Sequence, residues 1–224
     1  MGVRLNPDIS FCELDGQLFL LDIQRDRYFQ LSRTLELGFR SYLQAPDNDD
    51  IDVHALFEHG LLLSGVAATF ELPTPTLPPP SRSVLETSCA STRTSACLLC
   101  DVLLAVYMTH WQLKTQQLKP ILQSLSDYRH RRTSPLRDHV RSEQQLLAAA
   151  SAFNRLRPIV PIQTCCLIDS LSMIRFLAKR GLHSHLVMGV ACDPFSAHAW
   201  AQQGSLVLNE TLGAAQAHVP IRVI

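Results

Sequence analysis

The sequence has no excess of charge of either sign. Its 20 lysine and arginine residues balance its 20 aspartate and glutamate residues, so the formal net charge at pH 7 is zero. Proteins that bind nucleic acid or an anionic membrane by electrostatic attraction usually carry a basic excess. We therefore expect neither nucleic acid nor a membrane among the main partners.

A secretion signal and a long membrane-spanning run are also missing. Residues 1–8 contain no apolar core of the kind that a secretory signal needs. The longest apolar stretch, around residues 97–108, is interrupted by Asp101. It is shorter than the roughly 20 apolar residues that cross a bilayer. These patterns predict a soluble, cytoplasmic protein.

The seven cysteines are odd in number and scattered along a chain without a secretion signal. Structural disulfides are typical of secreted proteins, so we expect free thiols, one of them available for catalysis. Cys97 and Cys100 form a Cys-x-x-Cys pair in an apolar helical stretch without a second pair, which favours packing over a zinc or redox site. No Walker-type phosphate loop is present, so no metal or nucleotide cofactor is expected.

A proline-rich segment divides the chain. The 224 residues, 46% of them hydrophobic, suffice for one large domain or two small ones. Five of the 13 prolines fall within residues 72–81. Proline fixes φ and removes a backbone donor, so this segment is expected to join neither helix nor sheet. We predict domains over residues 1–72 and 89–224, joined by a stiff, extended linker over residues 73–88.

The first domain has the pattern of a small α+β module. Two apolar runs, residues 9–14 and 17–23, flank Asp15-Gly16, a strong hairpin signal. A third strand is predicted over residues 27–31, and Ser32 is a candidate N-cap of the helix that follows. That helix places Leu35, Phe39, Tyr42 and Leu43 on one face. A short helix over residues 52–59, ending at Gly60, completes a module without clustered acids, bases or nucleophiles.

The second domain is predicted to begin with helices and end with antiparallel strands. Helical patterns cover residues 90–117, 119–128, 137–154 and 166–180, the last closed by Gly181. Strands are predicted over residues 185–191, 197–202 and 206–209. The basic run of residues 129–132 is most simply a solvated loop, with phosphate binding as the less favoured alternative.

Cys166, His198 and Glu210 are the candidate catalytic residues. Cys166 begins a predicted helix, where the helix dipole lowers the pKa of a thiol and so favours the nucleophilic thiolate. His198 lies on a predicted strand, and a turn at Gln203-Gly204 would bring Glu210 back beside it. Cysteine, base and orienting carboxylate form a papain-like set. Taken singly, a buried cysteine or histidine is more often a packing residue, and this remains the alternative.

The residues around this set resemble the lasso-peptide leader peptidases, which have a transglutaminase-like cysteine-protease fold. The resemblance is strongest over residues 160–210, and its motifs are Cys166-Leu167-Ile168-Asp169-Ser170-Leu171, Arg180-Gly181-Leu182, Val187-Met188-Gly189-Val190, Phe195-Ser196-Ala197-His198-Ala199-Trp200 and Val207-Leu208-Asn209-Glu210. The family places its nucleophile directly before leucine, which implies Cys166, with Cys165 as the alternative. It usually ends the last motif in Asn-Asp, so Glu210 departs from the pattern and Asn209 is a second candidate to orient His198.

The first domain similarly resembles a PqqD-like RiPP recognition element, a winged-helix-like module of three strands and three helices. That family binds the leader of a precursor peptide as an added strand. The resemblance implies an edge formed by Arg27, Tyr28, Phe29, Gln30 and Leu31. The whole chain is then expected to be α+β, with the recognition element followed by a transglutaminase/papain-like domain.

The two resemblances together imply a function in lasso-peptide biosynthesis. The chain would bind the leader of a ribosomal precursor and cut it from the core, with backbone N–H groups at the start of the Cys166 helix as the oxyanion site and Gln163 as a weaker contributor. The core would pass to an asparagine-synthetase-like cyclase, to which any ATP requirement would belong. Two alternatives remain: a non-catalytic escort of the precursor, and an acyl-transferring transglutaminase-like enzyme.

Overall fold

The computed structural model describes residues 3–45, 53–65, 77–87, 95–133 and 139–224, and of residues 139–142 the backbone alone. The strands are β1 (Val3–Leu5), β2 (Ile9–Leu14), β3 (Gln17–Asp22), β4 (Arg27–Phe29), β5 (Leu62–Ser64), β6 (Arg82–Ser83), β7 (His185–Ala191), β8 (Ser196–Gln203), β9 (Leu206–Val207) and β10 (Val219–Val223). The helices are α1 (Arg33–Gln44), α2 (His54–Glu58), α3 (Ala96–Thr115), α4 (Leu118–Arg132), α5 (His139–Leu156), α6 (Cys166–Ala178) and α7 (Leu212–Gln216).

An antiparallel sheet in the order β2-β3-β4 forms the centre of the N-terminal part. Asp15 and Gly16 have φ angles of 51° and 76°, as a two-residue hairpin turn requires, so the predicted hairpin is confirmed. Ser32 is the N-cap residue of α1, as predicted, although its side chain makes no capping hydrogen bond. Among the described residues β4 pairs with β3 alone, which leaves its outer edge open.

This sheet is buried on both faces because alternate residues of β3 enter different cores. Leu18 and Leu20 pack with Phe39 of α1 and Leu56 of α2. Phe19 and Leu21 point the other way and join the core of the C-terminal part. Polar contacts support the junction: Lys119 Nζ lies 2.6 Å from Asp8 Oδ2, and Arg222 Nη1 donates to Ser10 Oγ at 2.8 Å. The two parts therefore share a continuous apolar core.

The N-terminal part differs from the predicted three strands and three helices. A second antiparallel ribbon pairs β1 with β5, with Arg4 opposite Leu63. The strand signal in these segments was too short to recognise, since each has only three residues. Two helices occur among the described residues before residue 66, and residues 46–52 and 66–76 lie outside that range, including the predicted first residues of α2.

The C-terminal part is a five-stranded sheet in the order β10-β7-β8-β9-β6, packed against α6. The predicted progression from helices to antiparallel strands is confirmed for α6, β7 and β8, and Gly181 ends the helix region with a φ of 72°. Strand β10, which pairs with β7, and helix α7 were not predicted from the sequence. Strand β9 is shorter than predicted, since it ends at Val207.

The segment predicted as a linker over residues 73–88 is built into this sheet where it is described. Its strand β6 pairs in parallel with β9, with Ser83 opposite Val207. Gln202 Nε2 donates to the carbonyl oxygen of Pro78 at 2.9 Å, and Gln216 Nε2 to that of Pro80. Proline carbonyl groups still accept hydrogen bonds although proline N–H groups are absent. The prediction that this segment joins neither helix nor sheet is wrong for residues 82–86, which form β6 and a 3-10 helix. Residues 73–76 and 88 lie outside the described ranges.

The basic run of residues 129–132 forms the last turn of α4, so the predicted loop is wrong. Arg129 is 6% exposed, and its Nη1 donates to the carbonyl oxygens of Ser184 and Ile224 at 2.9 and 2.8 Å. Those acceptors lie 55 and 95 residues further along the chain, so the local pattern contained no sign of them. Burial lowers the pKa of this guanidinium, and its role is to join chain segments.

Helix α3 is long and apolar enough to span a membrane by length and composition. The prediction that its apolar stretch is too short to cross a bilayer is therefore wrong. In the fold, Val102 and Val106 enter the shared core with Leu171 of α6. Asp101 pairs with Lys179 at 2.6 Å and with Arg180 at 2.5 Å. One side of α3 is thus part of the domain, while Trp111 on another side is 62% exposed.

Candidate active site

Cys166 is the first residue of α6, and its sulfur faces the neighbouring strand β8. Cys165 precedes it as the N-cap residue in extended conformation, with a φ of −147°. The backbone N–H groups of Ala199, which follows His198 on β8, and of Leu167 lower the pKa of the Cys166 thiol. The predicted nucleophile therefore begins a helix that packs against the strand of the predicted base.

The electrostatics of this thiol differ from the expectation. Burial raises the pKa of the Cys166 thiol, and the N–H groups of Ala199 and Leu167 lower it only in part. Negative charge on Cys165 and Asp169 raises it further. The position at a helix N-terminus alone predicted a lowered pKa, but desolvation is the larger effect here. The thiol is therefore mainly protonated at neutral pH and needs a base when it attacks.

A buried arginine holds the loop that leads to this cysteine. Arg157 Nε donates to Asp169 Oδ1 at 2.6 Å, and its Nη1 and Nη2 donate to the carbonyl oxygens of Ile162 and Gln163. Arg157 is 5% exposed; burial raises the pKa of Asp169, and Arg157 and the N–H of Cys165 lower it in part. The loop before α6 is thus tied to the first turn of the helix that carries the nucleophile.

His198 and Glu210 are in direct contact. His198 Nε2 lies 2.9 Å from Glu210 Oε2, and both side chains are largely buried. A carboxylate only accepts hydrogen bonds, so Nε2 carries the proton and donates. In the neutral imidazole, Nδ1 is then the atom with a free lone pair. The predicted turn at Gln203-Gly204 is present, with a φ of 57° at Gly204.

Glu210 is held in place by the segment that the sequence analysis described as a linker. Its Oε1 accepts from the backbone N–H of Thr211 at 2.8 Å, so each carboxylate oxygen has a partner. Ser83 Oγ donates to the backbone carbonyl oxygen of Glu210 at 2.5 Å. Glu86 Oε1 accepts from the N–H of Leu212 at 2.9 Å. Residues 83–86 therefore support the position of the carboxylate.

Asn209, the alternative partner of His198, has other contacts. Its Oδ1 accepts from the backbone N–H of Ala201 at 2.7 Å, and its Nδ2 donates to Ser170 Oγ at 2.9 Å. Ser170 Oγ lies 2.6 Å from the carbonyl oxygen of Cys166 and 3.0 Å from that of Ala199. The Ser170 hydroxyl has one proton, so it donates to only one of these two carbonyl oxygens at a time. Asn209 and Ser170 thus link the start of α6 to strand β8.

Two aromatic rings that the sequence analysis did not assign to the site surround His198. The rings of His218 and Trp200 have centroids 5.1 and 6.2 Å from that of His198. His218 Nδ1 lies 2.8 Å from the carbonyl oxygen of Ala214, so it donates there. Gly189 faces His198 across the strand pair, and a Cβ atom there would lie 2.9 Å from the Trp200 ring. Trp200 could have been found from the sequence, because residues two apart on a strand lie on the same face as His198. No local pattern indicated that His218 lies near His198.

The other candidate residues take no part in the contact between His198 and Glu210. Gln163 and Cys165 are exposed. Cys97 and Cys100 are free and exposed on α3. The rings of His183 and His185 are 4.6 Å apart, and burial lowers the pKa of His185 to about 4. No group of three or more histidine, cysteine, aspartate or glutamate residues suited to a metal ion occurs within the described ranges.

The residues predicted to bind a leader are the edge strand β4 of the N-terminal sheet and the two residues that follow it. Tyr28 faces the C-terminal core, whereas Phe29 and Leu31 face α1 and α2. The guanidinium of Arg27 lies 5.0 Å from the centroid of the Phe29 ring. Gln30 Nε2 donates to Gln17 Oε1 at 2.8 Å on the surface. The strand itself ends at Phe29, two residues earlier than predicted.

Comparisons with known proteins identify relatives of the C-terminal part. Residues 109–223, just over half of the chain, match the transglutaminase-like superfamily. A segment of 45 residues, 20% of this chain, is 40% identical to the microcin J25-processing protein McjB of Escherichia coli. That match covers 22% of the length of McjB. No solved structure matches the chain.

Proposed function

Since the chain belongs to the transglutaminase-like superfamily, we propose that it is a cysteine peptidase that removes the leader from a lasso-peptide precursor. The similarity of part of the chain to a microcin-processing protein supports this pathway. The single observation that carries the proposed chemistry is the 2.9 Å contact of His198 with Glu210, because it orients a base on the strand that packs against the Cys166 helix.

The proposed reaction begins with the attack of the Cys166 sulfur on the scissile carbonyl carbon. Since burial keeps the thiol mainly protonated, His198 Nδ1 takes the proton as the carbon–sulfur bond forms. Glu210 stabilises the resulting imidazolium. His198 then gives this proton to the leaving amine of the core, and the leader remains as a thioester on Cys166.

Hydrolysis completes the cycle. His198 takes a proton from water, whose oxygen attacks the thioester carbonyl carbon, and the thiol is regenerated as the leader leaves with a free carboxylate. The N–H groups of the first turn of α6 are the proposed donors to the oxyanion, since a helix leaves its first N–H groups without partners inside the helix. Gln163 is not needed for this role.

Leader recognition is assigned to the open edge of β4. A peptide that adds to an edge strand gains main-chain hydrogen bonds, and side-chain pockets provide the selectivity. In this proposal the N-terminal part acts as a PqqD-like recognition element, with Arg27, Tyr28, Phe29, Gln30 and Leu31 along the leader path. The open edge among the described residues and the fusion of both parts through one core support it.

The partners follow from the reaction. The substrate is a ribosomal precursor peptide, and the freed core amine is consumed by an asparagine-synthetase-like cyclase that closes the macrolactam with ATP. We place the protein in the cytoplasm with that cyclase and assign no cofactor, nucleic acid or membrane to this chain. These assignments belong to the proposal.

Mass spectrometry of the products separates this function from the alternatives. The purified chain is incubated with a lasso-peptide precursor in water enriched in ¹⁸O. Hydrolysis predicts a free core and a leader that carries ¹⁸O in its new carboxylate. A precursor that binds but stays intact would identify an escort protein, and a leader joined to an amine without ¹⁸O would identify acyl transfer. Either result would overturn the peptidase proposal.

A further inference from the structure

A cavity of about 310 Å³ lies where the N-terminal sheet meets the C-terminal domain. Phe19, Tyr28 and Phe29 line it from β3 and β4, and Cys192 and Phe195 line it from the turn between β7 and β8. The cavity therefore exists only because the two parts of the chain pack together. It is distinct from the open edge of β4, although it borders that edge.

The walls of this cavity are mainly aromatic. The rings of Phe195 and Phe19 stack with centroids 5.7 Å apart, and the Tyr28 ring meets Phe195 edge-on at 6.2 Å. Phe19 is buried, whereas Phe195 is 52% exposed and so presents apolar surface to the cavity. Ligand pockets typically combine such apolar walls with a few polar groups.

The polar groups lie at the outer rim and carry no charge. Gln30 Nε2 donates to Gln17 Oε1 at 2.8 Å, and both side chains are exposed. None of the described side chains that line the cavity is an acid or a base that is charged at neutral pH. The lining thus favours an uncharged, apolar occupant over a phosphate or an acidic or basic side chain.

The cavity is close to the proposed nucleophile. Burial raises the pKa of Tyr28 to about 12, and the nearby charges of Asp26 and Cys166 add to this effect. Phe195 precedes His198 by three residues on the same chain segment. The cavity therefore lies on the side of β4 that faces the C-terminal core, next to the chain segment that leads to His198.

We propose that this cavity is a specificity pocket for one large apolar side chain of the substrate peptide, on the leader side of the bond that is cut. The inference rests on the proposed function. A peptide extended along β4 presents alternate side chains to the C-terminal domain, and one of them enters the cavity that Tyr28 and Phe195 line. The volume is at the lower end for ligand pockets, enough for one large side chain and too small for a folded partner.

This pocket couples recognition to cleavage. A leader that fills it is held by the N-terminal strand and by the turn that leads to His198, so the next residues of the peptide are directed to Cys166. Peptides that bind β4 without a suitable apolar residue would be held in a less favourable position. The substrate class is thus a peptide with a bulky apolar residue between its strand-forming segment and its cleavage point.

The test combines Phe195→Ala with an alanine scan of the leader. Loss of an aromatic wall of the pocket is expected to raise KM by about tenfold or more, with kcat within about threefold. Phe195→Leu should restore most of the binding. Trp111→Ala is the matched control, since Trp111 is a 62% exposed aromatic outside this cavity. Alanine substitution of one leader residue should raise KM for the wild type but not for Phe195→Ala, because the effects of two residues in contact are not additive.

Binding of a fluorescent leader to Cys166→Ala variants makes the pocket testable without cleavage. Weaker binding after the added Phe195→Ala change supports the pocket, and unchanged binding overturns it. A fall in kcat with unchanged KM also overturns it, because Phe195 would then act through His198. A wild-type chain that binds the leader through Phe195 but never cuts it would support the proposed pocket and contradict the proposed peptidase function. The failure of one proposal is thus distinguishable from the failure of the other.

Discussion

Ser83 Oγ donates a 2.5 Å hydrogen bond to the carbonyl oxygen of Glu210, across 127 positions of the chain. Ser83 is 2% exposed, and its hydroxyl oxygen also accepts from the N–H of Leu85 at 3.1 Å. A residue from the segment predicted as a linker thus fixes the backbone of the residue that holds His198. The segment before the C-terminal helices is therefore part of the site.

Ser83→Ala is expected to lower kcat more than it changes KM. The Glu210 carbonyl group loses its donor, and an unsatisfied buried acceptor costs about 1–3 kcal/mol. We expect kcat to fall by about three- to tenfold because the carboxylate is then less firmly positioned. Steady-state kinetics on the precursor and a thermal melt measure both effects. Ser81→Ala, two residues earlier at an exposed position, is the control, and an equal loss there would contradict the supporting role.

Glu210→Gln is expected to reduce kcat/KM strongly, by about 10²-fold, although its shape is nearly unchanged. The carboxylate accepts from His198 Nε2 with one oxygen and from Thr211 N–H with the other. An amide has only one oxygen, so one of these donors loses its acceptor. Glu210→Asp is one methylene shorter and should also lose one contact. Activity near that of the wild type in both variants would show that His198 needs no carboxylate.

Asn209→Ala is expected to affect stability first. Ala201 N–H and Ser170 Oγ lose their partner, at a cost of about 1–3 kcal/mol in the free energy of unfolding. The contact between His198 and Glu210 stays, so kcat should fall less than in Glu210→Gln. Chemical denaturation and kinetics on the same preparations compare the two variants. A fully stable but inactive Asn209→Ala variant would instead make Asn209 the residue that orients His198.

Gly189→Ala is expected to destabilise the protein by about 1–3 kcal/mol, because overpacking a filled core is costly. The new Cβ atom would lie 2.9 Å from the Trp200 ring, which is fully buried and held by a 2.8 Å hydrogen bond from Nε1 to Gln202 Oε1. Gly213→Ala is the control, since nothing lies within 4 Å of a Cβ atom there. Equal melting temperatures for the two variants would contradict the close packing of Gly189 against the Trp200 ring.

Features with a local cause were predictable from the sequence. Asp15-Gly16 marks the hairpin because positive φ angles favour those residues, and Gly181 ends the helix region for the same reason. The pairing of His198 with Glu210 was predicted from strand alternation and a short turn. Glu210 nevertheless follows the strand rather than ending it, because β9 stops at Val207.

Features with a distant cause were not predictable. The parallel pairing of β6 with β9 joins residues more than 120 positions apart, and a two-residue strand among prolines has no periodicity. Arg129 looked solvated because its acceptors, Ser184 and Ile224, lie far along the chain. The raised pKa of Cys166 depends on how tightly the fold buries it, which the helix position alone does not determine.

The most direct test of the central claim compares Cys166→Ala with Cys165→Ala in cleavage of the precursor. The two residues are adjacent and both are thiols, so general effects of cysteine removal are matched. The account predicts that Cys166→Ala lowers kcat/KM by at least about 10³-fold, while its leader affinity stays within about threefold of the wild type. Cys165→Ala should retain activity within about threefold. Cleavage at the same bond by Cys166→Ala, or its loss in Cys165→Ala alone, would contradict the assignment.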